Sequence, residues 1–470
     1  MAVSPSRSIA FEILRRVEVE GAYAADALHA RLAPAKGRPR AGREAAPAEP
    51  VKRQDAALAT ELVFGVLRWQ RLLDFLIERQ AKRPAEGLDA DVRRALRLGA
   101  YQMLFLDRVP PSAAVNESVE LAKRAGKERA AGLVNAVLRR MPRGPYRPGD
   151  IERTLPIGLD AAGRLGILYS HPDWMVERWL GAFGRERTTA LLEANNRPLP
   201  TTCWVLDAEH EEQVAESLRE DGLEVEPGRL MASALILRGG SASETTAFRE
   251  GWIAVQDEAS QAVALLVGVE EGQSVLDVCA APGNKTLHLA RSAGPGACVV
   301  AADLHVHRLR AVRGQMRRTG TEGVELVALD ATRPLPFARR FDRILVDAPC
   351  SGTGTLARNP EIRWRLRRED IEDLAARQAA ILRSAIDALE RGGRLVYATC
   401  SLEREENEGV VRRVLGERKD VRLAGAPAGF AARLAPGVSA GRLFDADGFF
   451  RTMTAESATD GFFAAMFGRV

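Results

Sequence analysis

The stretch Asp347-Ala348-Pro349-Cys350-Ser351-Gly352-Thr353-Gly354-Thr355 decides how this chain is read. It follows the apolar run Ile344-Leu345-Val346, which has the character of a buried parallel strand. Further on, Arg394-Leu395-Val396-Tyr397-Ala398 reads as a second strand and ends in Thr399-Cys400-Ser401. Cys350 and Cys400 therefore each fall just past the carboxyl end of a strand. In open α/β sheets, ligands bind along that edge.

Working outward, the 470 residues are too many for one ordinary domain. A hydrophobic content of 46% with 28% charged residues is that of a globular protein, and no apolar stretch is long enough to span a bilayer. Residues 1–10 lack the basic-then-apolar layout of a secretory signal. The five cysteines, at 203, 279, 298, 350 and 400, are few, odd in number and widely spaced. That pattern predicts free thiols in a reducing cytoplasm. Neither a CxxC pair nor an HExxH motif occurs, so no metal is expected. The net charge of +4 divides unevenly, with +9 over residues 1–145 and −5 over the rest. A basic module joined to a slightly acidic one suggests a polyanion held by the first. An Arg-rich solvated surface is the competing explanation.

Helical spacing runs through 7–32, where Ile9, Ile13, Leu14 and Val17 share a face. The Pro-, Gly- and Arg-rich segment 33–53 has no apolar period and reads as a disordered linker. From Gln54 the helical period resumes through Leu58, Leu62, Val66, Leu73 and Leu76, then again through Val92, Leu96, Ala100 and Leu104 up to Pro110-Pro111. Ser112 is expected to cap a helix over 114–124, with another at 127–140 exposing Arg139 and Arg140 to RNA phosphates. Residues 1–143 thus predict an all-α domain, and 144–240 a small α+β segment with a strand at Thr201–Leu206. In that segment, a link between the two larger parts, His171 and Trp174 are expected to cap and pack, or else to help place RNA. From Trp252 onward, strands near 274–278, 298–302, 325–329, 343–346 and 395–398 alternate with helices near 285–293, 305–319 and 368–391. That order predicts a doubly wound, mostly parallel sheet over 241–470. The aromatic runs 448–453 and 461–466 predict a closing antiparallel hairpin.

The first βα turn, Val278-Cys279-Ala280-Ala281-Pro282-Gly283-Asn284-Lys285-Thr286, is not GxGxxG, so a dinucleotide pyrophosphate is not its expected ligand. Its small residues and the helix N-terminus behind them suit a carboxylate. Asp303, Asp330 and Asp347 are expected in register at strand ends, with Asp303 placed for ribose hydroxyls and Asp330 for an adenine end. Arg363 and Arg365, flanking Trp364, offer charge and stacking to RNA, or else begin a surface helix.

These motifs, ending in Ala398-Thr399-Cys400-Ser401, resemble the RNA (cytosine-5) methyltransferase family over roughly residues 250–410. The entry segment Val255-Gln256-Asp257-Glu258-Ala259-Ser260-Gln261 also looks like that family. The helical part, including Leu98-Gly99-Ala100-Tyr101-Gln102, resembles the antitermination factor NusB. The pairing looks like the RsmB type. The resemblance implies a Rossmann-like methyltransferase domain after a NusB-like RNA-binding domain. It implies S-adenosylmethionine as cofactor, and methyl transfer to C5 of a cytosine in 16S ribosomal RNA, at a site of the position-967 type. Cys400 would be the nucleophile, Cys350 would assist its release, and Asp347 would meet the N3/N4 edge of the base. Cofactor contacts are implied for Cys279, Ala280, Ala281, Pro282, Gly283, Asn284, Lys285, Asp303, Arg308, Asp330 and Asp347. The expected protein is a monomer acting on small-subunit ribosomal RNA, with neither metal nor membrane. The chain departs from the family at Asn284, where a second Gly is usual, and at Trp204-Val205-Leu206, where Arg-x-Asn is usual. Transfer RNA or another ribosomal site is the alternative target, and a non-catalytic RNA-binding assembly factor the alternative function.

Overall fold

The computed structural model describes residues 3–32 and 51–470. Most of the segment 33–53 lies outside the described residues, while Arg53 opens a helix. The chain forms two compact units: Met1–Arg197 with Leu356–Arg365, and Pro198–Thr355 with Leu366–Val470. No helix among the described residues is long and apolar enough to cross a membrane.

The second unit holds two sheets. Strands β1 (Thr201–Val205), β2 (Glu224–Pro227), β3 (Ala234–Arg238) and β4 (Ile253–Val255) form an antiparallel sheet in the order β2-β3-β1-β4. The expected alternation from Trp252 thus begins later, because Ile253–Val255 pairs with β1 in the small sheet. The larger sheet contains β5 (Val275–Asp277), β6 (Val299–Asp303), β7 (Val324–Ala328), β8 (Phe341–Asp347) and β9 (Leu389–Thr399), all parallel. It continues with β10 (Val421–Leu423), β11 (Phe450–Arg451) and β12 (Phe463–Arg469), where β12 lies antiparallel to β9, β10 and β11. The path β10-β12-β9-β8-β5-β6-β7 reverses direction between β5 and β8. That reversal is the topological switch point, where doubly wound sheets bind ligands. The hairpin expected from the late aromatic runs is β11–β12. Ile344, Leu345, Val346, Leu395, Val396 and Tyr397 are all fully buried, as strands covered on both faces require.

The first unit is all-α among the described residues, with helices from Pro5–Val19 to Asp173–Asn195. Helix Arg53–Ala81 ends at Lys82, which takes a left-handed conformation ahead of Pro84. Its Gly65 is obligatory, since a Cβ there would lie 2.0 Å from the Tyr101 ring. The expected Ser112 cap is not formed. The helix starts at Pro111 with no side-chain cap, because proline at the first position already has helical φ and lacks an N–H to satisfy. Part of the basic surplus is internal: Arg7, Arg68, Arg94 and Arg97 are buried, and Arg97 reaches Asp74 with two 2.7 Å hydrogen bonds and Glu18 with a third. His171 is also internal, with its ring Nδ1 2.7 Å from the Tyr169 carbonyl, and burial holds its pKa well below the usual histidine value.

The segment Leu356–Arg365 changes the expectation for Arg363, Trp364 and Arg365. Arg363 is 1% exposed, neither an RNA contact nor the start of a surface helix. Its Nη1 donates to Asn196 Oδ1 (2.9 Å) and the Ser170 carbonyl (3.1 Å), and its Nη2 to the Asn195 (3.2 Å) and Leu356 (3.3 Å) carbonyls. Burial, with Arg68 alongside, lowers its pKa to about 9. Trp364 donates to the Leu67 carbonyl at 2.7 Å, and Arg365 donates to the carbonyls of Val17 and Ala22. Replacing Arg363 with Ala strands these buried acceptors. We expect a loss of about 3 kcal/mol, at least, in the first unit, read as a lower urea midpoint. An unchanged midpoint would show that the arginine does not organise that core.

Candidate active site

Parallel pairing sets Asp347 opposite Ala398, and the loops leaving β8 and β9 bring Cys350 Sγ to 3.4 Å from Cys400 Sγ. The loops are locked together, since Gly354 donates its backbone N–H to the Cys400 carbonyl at 2.9 Å and its own carbonyl accepts from Gly461 N at 2.8 Å. A Cβ on Gly354 would sit 2.1 Å from the Gly461 oxygen, so only glycine fits. Lys285, in the first turn of the helix Asn284–Ala293, crosses the switch point and places Nζ 2.6 Å from Asp347 Oδ2. It also lies 4.9 Å from the centre of the Phe462 ring. Burial alone would lower the lysine pKa. Asp347 outweighs it, helped by Cys400 and Asp277, and the ammonium titrates above its ordinary value. The hydrogen bond to Cys400, then burial, push the Cys350 thiol well up.

The turn after β5 has the expected shape. Gly283 adopts φ +111°, and a Cβ on it would meet Val312 Cα at 3.0 Å. Ala280 is buried, Ala281 and Cys279 are partly exposed, and Pro282 is exposed. Burial, with Asp277 next, pushes the Cys279 thiol up. Asp303 accepts from His305 N at 3.0 Å and lies 3.4 Å from Arg308 Nη1, while Arg308 Nη2 donates to the Ala281 carbonyl at 3.3 Å. Asp330 departs from the expected row: Asp303 pairs with Ala328, so Asp330 stands beyond it. Its carboxylate accepts from Thr332 N (3.0 Å) and Thr332 Oγ1 (2.6 Å), which hold its pKa down. Among the described residues no cluster of His, Cys, Asp or Glu is arranged to hold a metal ion.

A family model for the 16S rRNA methyltransferase RsmB/F matches residues 264–468, one for the NusB family 4–143, and one for the RsmF/B-like ferredoxin-like domain 171–243. A Synechocystis protein named probable ribosomal RNA small subunit methyltransferase B is 35% identical over 430 residues, covering 89% of this chain and 90% of its own. The chain belongs to the RsmB/F family of 16S rRNA methyltransferases. It is an RNA methyltransferase of an S-adenosylmethionine-dependent family. A Pseudomonas putida ribosomal RNA small subunit methyltransferase B is 37% identical over 79% of this chain and 84% of its own. A solved Pyrococcus horikoshii methyltransferase homolog is 27% identical with a TM-score of 0.56, over 66% of this chain and all of its own.

Both departures from the RsmB/F pattern have a structural account. Asn284 Nδ2 donates to the Val255 carbonyl at 2.8 Å, and Asn284 Oδ1 accepts from Gln315 Nε2 at 3.0 Å, so this side chain ties three segments together. Trp204 stacks on His288 with ring centroids 3.5 Å apart and planes at 15°. It is interior packing, and burial drives the His288 pKa to about 3. Sequence reasoning missed Asp277, the acid that ends β5. Its Oδ2 accepts from Thr286 Oγ1 at 2.7 Å, while its buried Oδ1 has no partner. A signal was present, an acid two residues before Cys279 at a strand end.

Burial raises the Asp277 pKa from 3.8 to about 7. The folded state therefore keeps a proton that the unfolded chain releases near pH 4. Stability from this group is complete below pH 4 and is lost as pH rises through 7. Asp277→Asn should flatten that stretch of the stability–pH curve, measured by urea unfolding at pH 5 and pH 8. Identical slopes in variant and wild type would contradict the assignment.

Proposed function

We propose that this chain methylates C5 of a cytosine in 16S ribosomal RNA through a transient bond between Cys400 and C6 of the ring. The observation that carries the proposal is the 3.4 Å separation of the two sulfur atoms just past the ends of β8 and β9. Cytosine C5 is a weak nucleophile. Addition of the Cys400 thiolate to C6 moves an electron pair onto C5. When bound, S-adenosylmethionine supplies an electrophilic methyl group on a sulfonium. C5 takes that methyl and then loses its proton to a base, the C5–C6 double bond re-forms, and the Cys400 thiolate departs.

The chain's own residues fit these roles. The small residues Ala280, Ala281 and Gly283 stand at the helix N-terminus, where a carboxylate is favoured. With Asp303 beside them, these groups would hold the cofactor. Lys285 brings a positive charge to the sheet edge where the Cys400 thiolate must form. Asp347, its Oδ2 held by Lys285, meets the N3/N4 edge of the base. Cys350 is kept protonated chiefly by its bond to Cys400. With its sulfur 3.4 Å from that of Cys400, Cys350 is placed to assist release of the ring. The NusB-like part, with exposed Arg139 and Arg140, holds the RNA.

Cys350→Ala should accumulate a covalent protein–RNA adduct that survives denaturing electrophoresis. Cys400→Ala should form none, with turnover reduced by about 1000-fold or more. Normal turnover in Cys400→Ala would remove the covalent mechanism.

A further inference from the structure

A buried polar cluster flanks both cysteines and has no part in the chemistry above. Ser351 and Ser401 each directly follow a cysteine, and both are buried. Glu406, 0% exposed, lies on the wide π-type turn Glu405–Gly409. Its Oε1 accepts from Ser351 N at 2.8 Å and from Gln378 Nε2 at 2.8 Å. Its Oε2 accepts from the hydroxyls of Ser351 and Ser401, whose oxygens are 3.0 Å apart. Gln378 also donates to the Pro349 carbonyl at 2.9 Å. The neighbouring Asn407 donates to the Ser401 carbonyl at 2.9 Å and accepts from Thr399 Oγ1 at 2.5 Å. Ser351 after Cys350 and both neighbours of Cys400 are thereby tied to one short turn, and Pro349 before Cys350 is linked to it through Gln378. Tyr397 fixes that turn in place, donating to the Glu406 carbonyl at 2.5 Å.

A carboxylate sealed from water and met by four donors has no alternative arrangement that satisfies it. We propose that Glu406 is a positioning residue for the methyl transfer: its side chain grips the Ser351 and Ser401 loops and so sets the distance between the two sulfur atoms. This rests on the two-cysteine chemistry proposed above. The sulfur atoms must reach one ring at its C6 and C5 ends, where a misplacement of about 1 Å costs about 100-fold in rate.

The test uses the full chain with S-adenosylmethionine and unmodified 16S ribosomal RNA. Ser401→Ala and Glu406→Ala should lower kcat by about tenfold and about 100-fold, with KM for each substrate within about twofold of wild type. Glu406→Gln should keep kcat within about threefold, because the two hydroxyls can turn to suit its amide. In a Cys350→Ala background, adding Ser401→Ala or Glu406→Ala should slow adduct formation by the same factors. Ser401→Ala and Glu406→Gln carry the test if Glu406→Ala does not fold. Wild-type turnover in Ser401→Ala and Glu406→Ala, or an effect on KM alone, overturns the positioning role and leaves the two-cysteine chemistry standing. No adduct in Cys350→Ala with Glu406 intact overturns that chemistry instead, and this role with it.

Discussion

The parallel pairing of β8 with β9 is the contact on which the site depends. Because Asp347 faces Ala398 in that ladder, loops leaving neighbouring strands at the same edge carry their cysteines to one place. A one-residue slip would exchange the two buried faces and draw the two loops apart by about 3.3 Å. The register is well defended. Ile344, Val346, Leu395 and Tyr397 are fully buried in it. On the other side of β9, β12 adds a long antiparallel ladder from Phe463 opposite Thr399 to Gly468 opposite Arg394. The sheet thus behaves as a ruler for two sulfur atoms.

Around that ruler the electrostatics are divided. Lys285 supplies positive charge on the side of Asp347 and Cys400, and Glu406 supplies negative charge next to Ser351. A buried ammonium without a partner costs several kcal/mol, and the 2.6 Å contact with Asp347 offsets it. Asp347, itself partly exposed, makes the largely buried ammonium tolerable. The unpaired oxygen of Asp277, buried at the end of β5, is the unsatisfied remainder.

Much of this was legible in the residues. The strand-ending motifs at 347–355 and 398–401, the βα turn at 279–286 and the change from helical to alternating pattern gave the class of both halves. They could do so because strand burial and turn chemistry are local. What was not legible depends on partners far apart in the chain. Arg363 looked like a surface cation because nothing near it shows that the carbonyls of Ser170 and Asn195 would close around it. Trp204 looked like a lost RNA contact, since its stacking partner His288 belongs to another segment. Glu406 stood in an acidic run, 405–408, that resembles any solvated face, and only the wide turn directs it inward. Asp330 looked equivalent to Asp303 because spacing alone does not give the register of β7.

The central claim is a bond between the sulfur of residue 400 and the target ring. An RNA substrate carrying 5-fluorocytosine at the target position tests it directly, because fluorine at C5 blocks the final elimination and leaves the bond in place. Mass spectrometry of the digested complex should find the peptide containing Cys400 carrying a methylated fluoronucleotide. A modified nucleotide on Cys350, or methylation without any protein-bound nucleotide, would contradict the account.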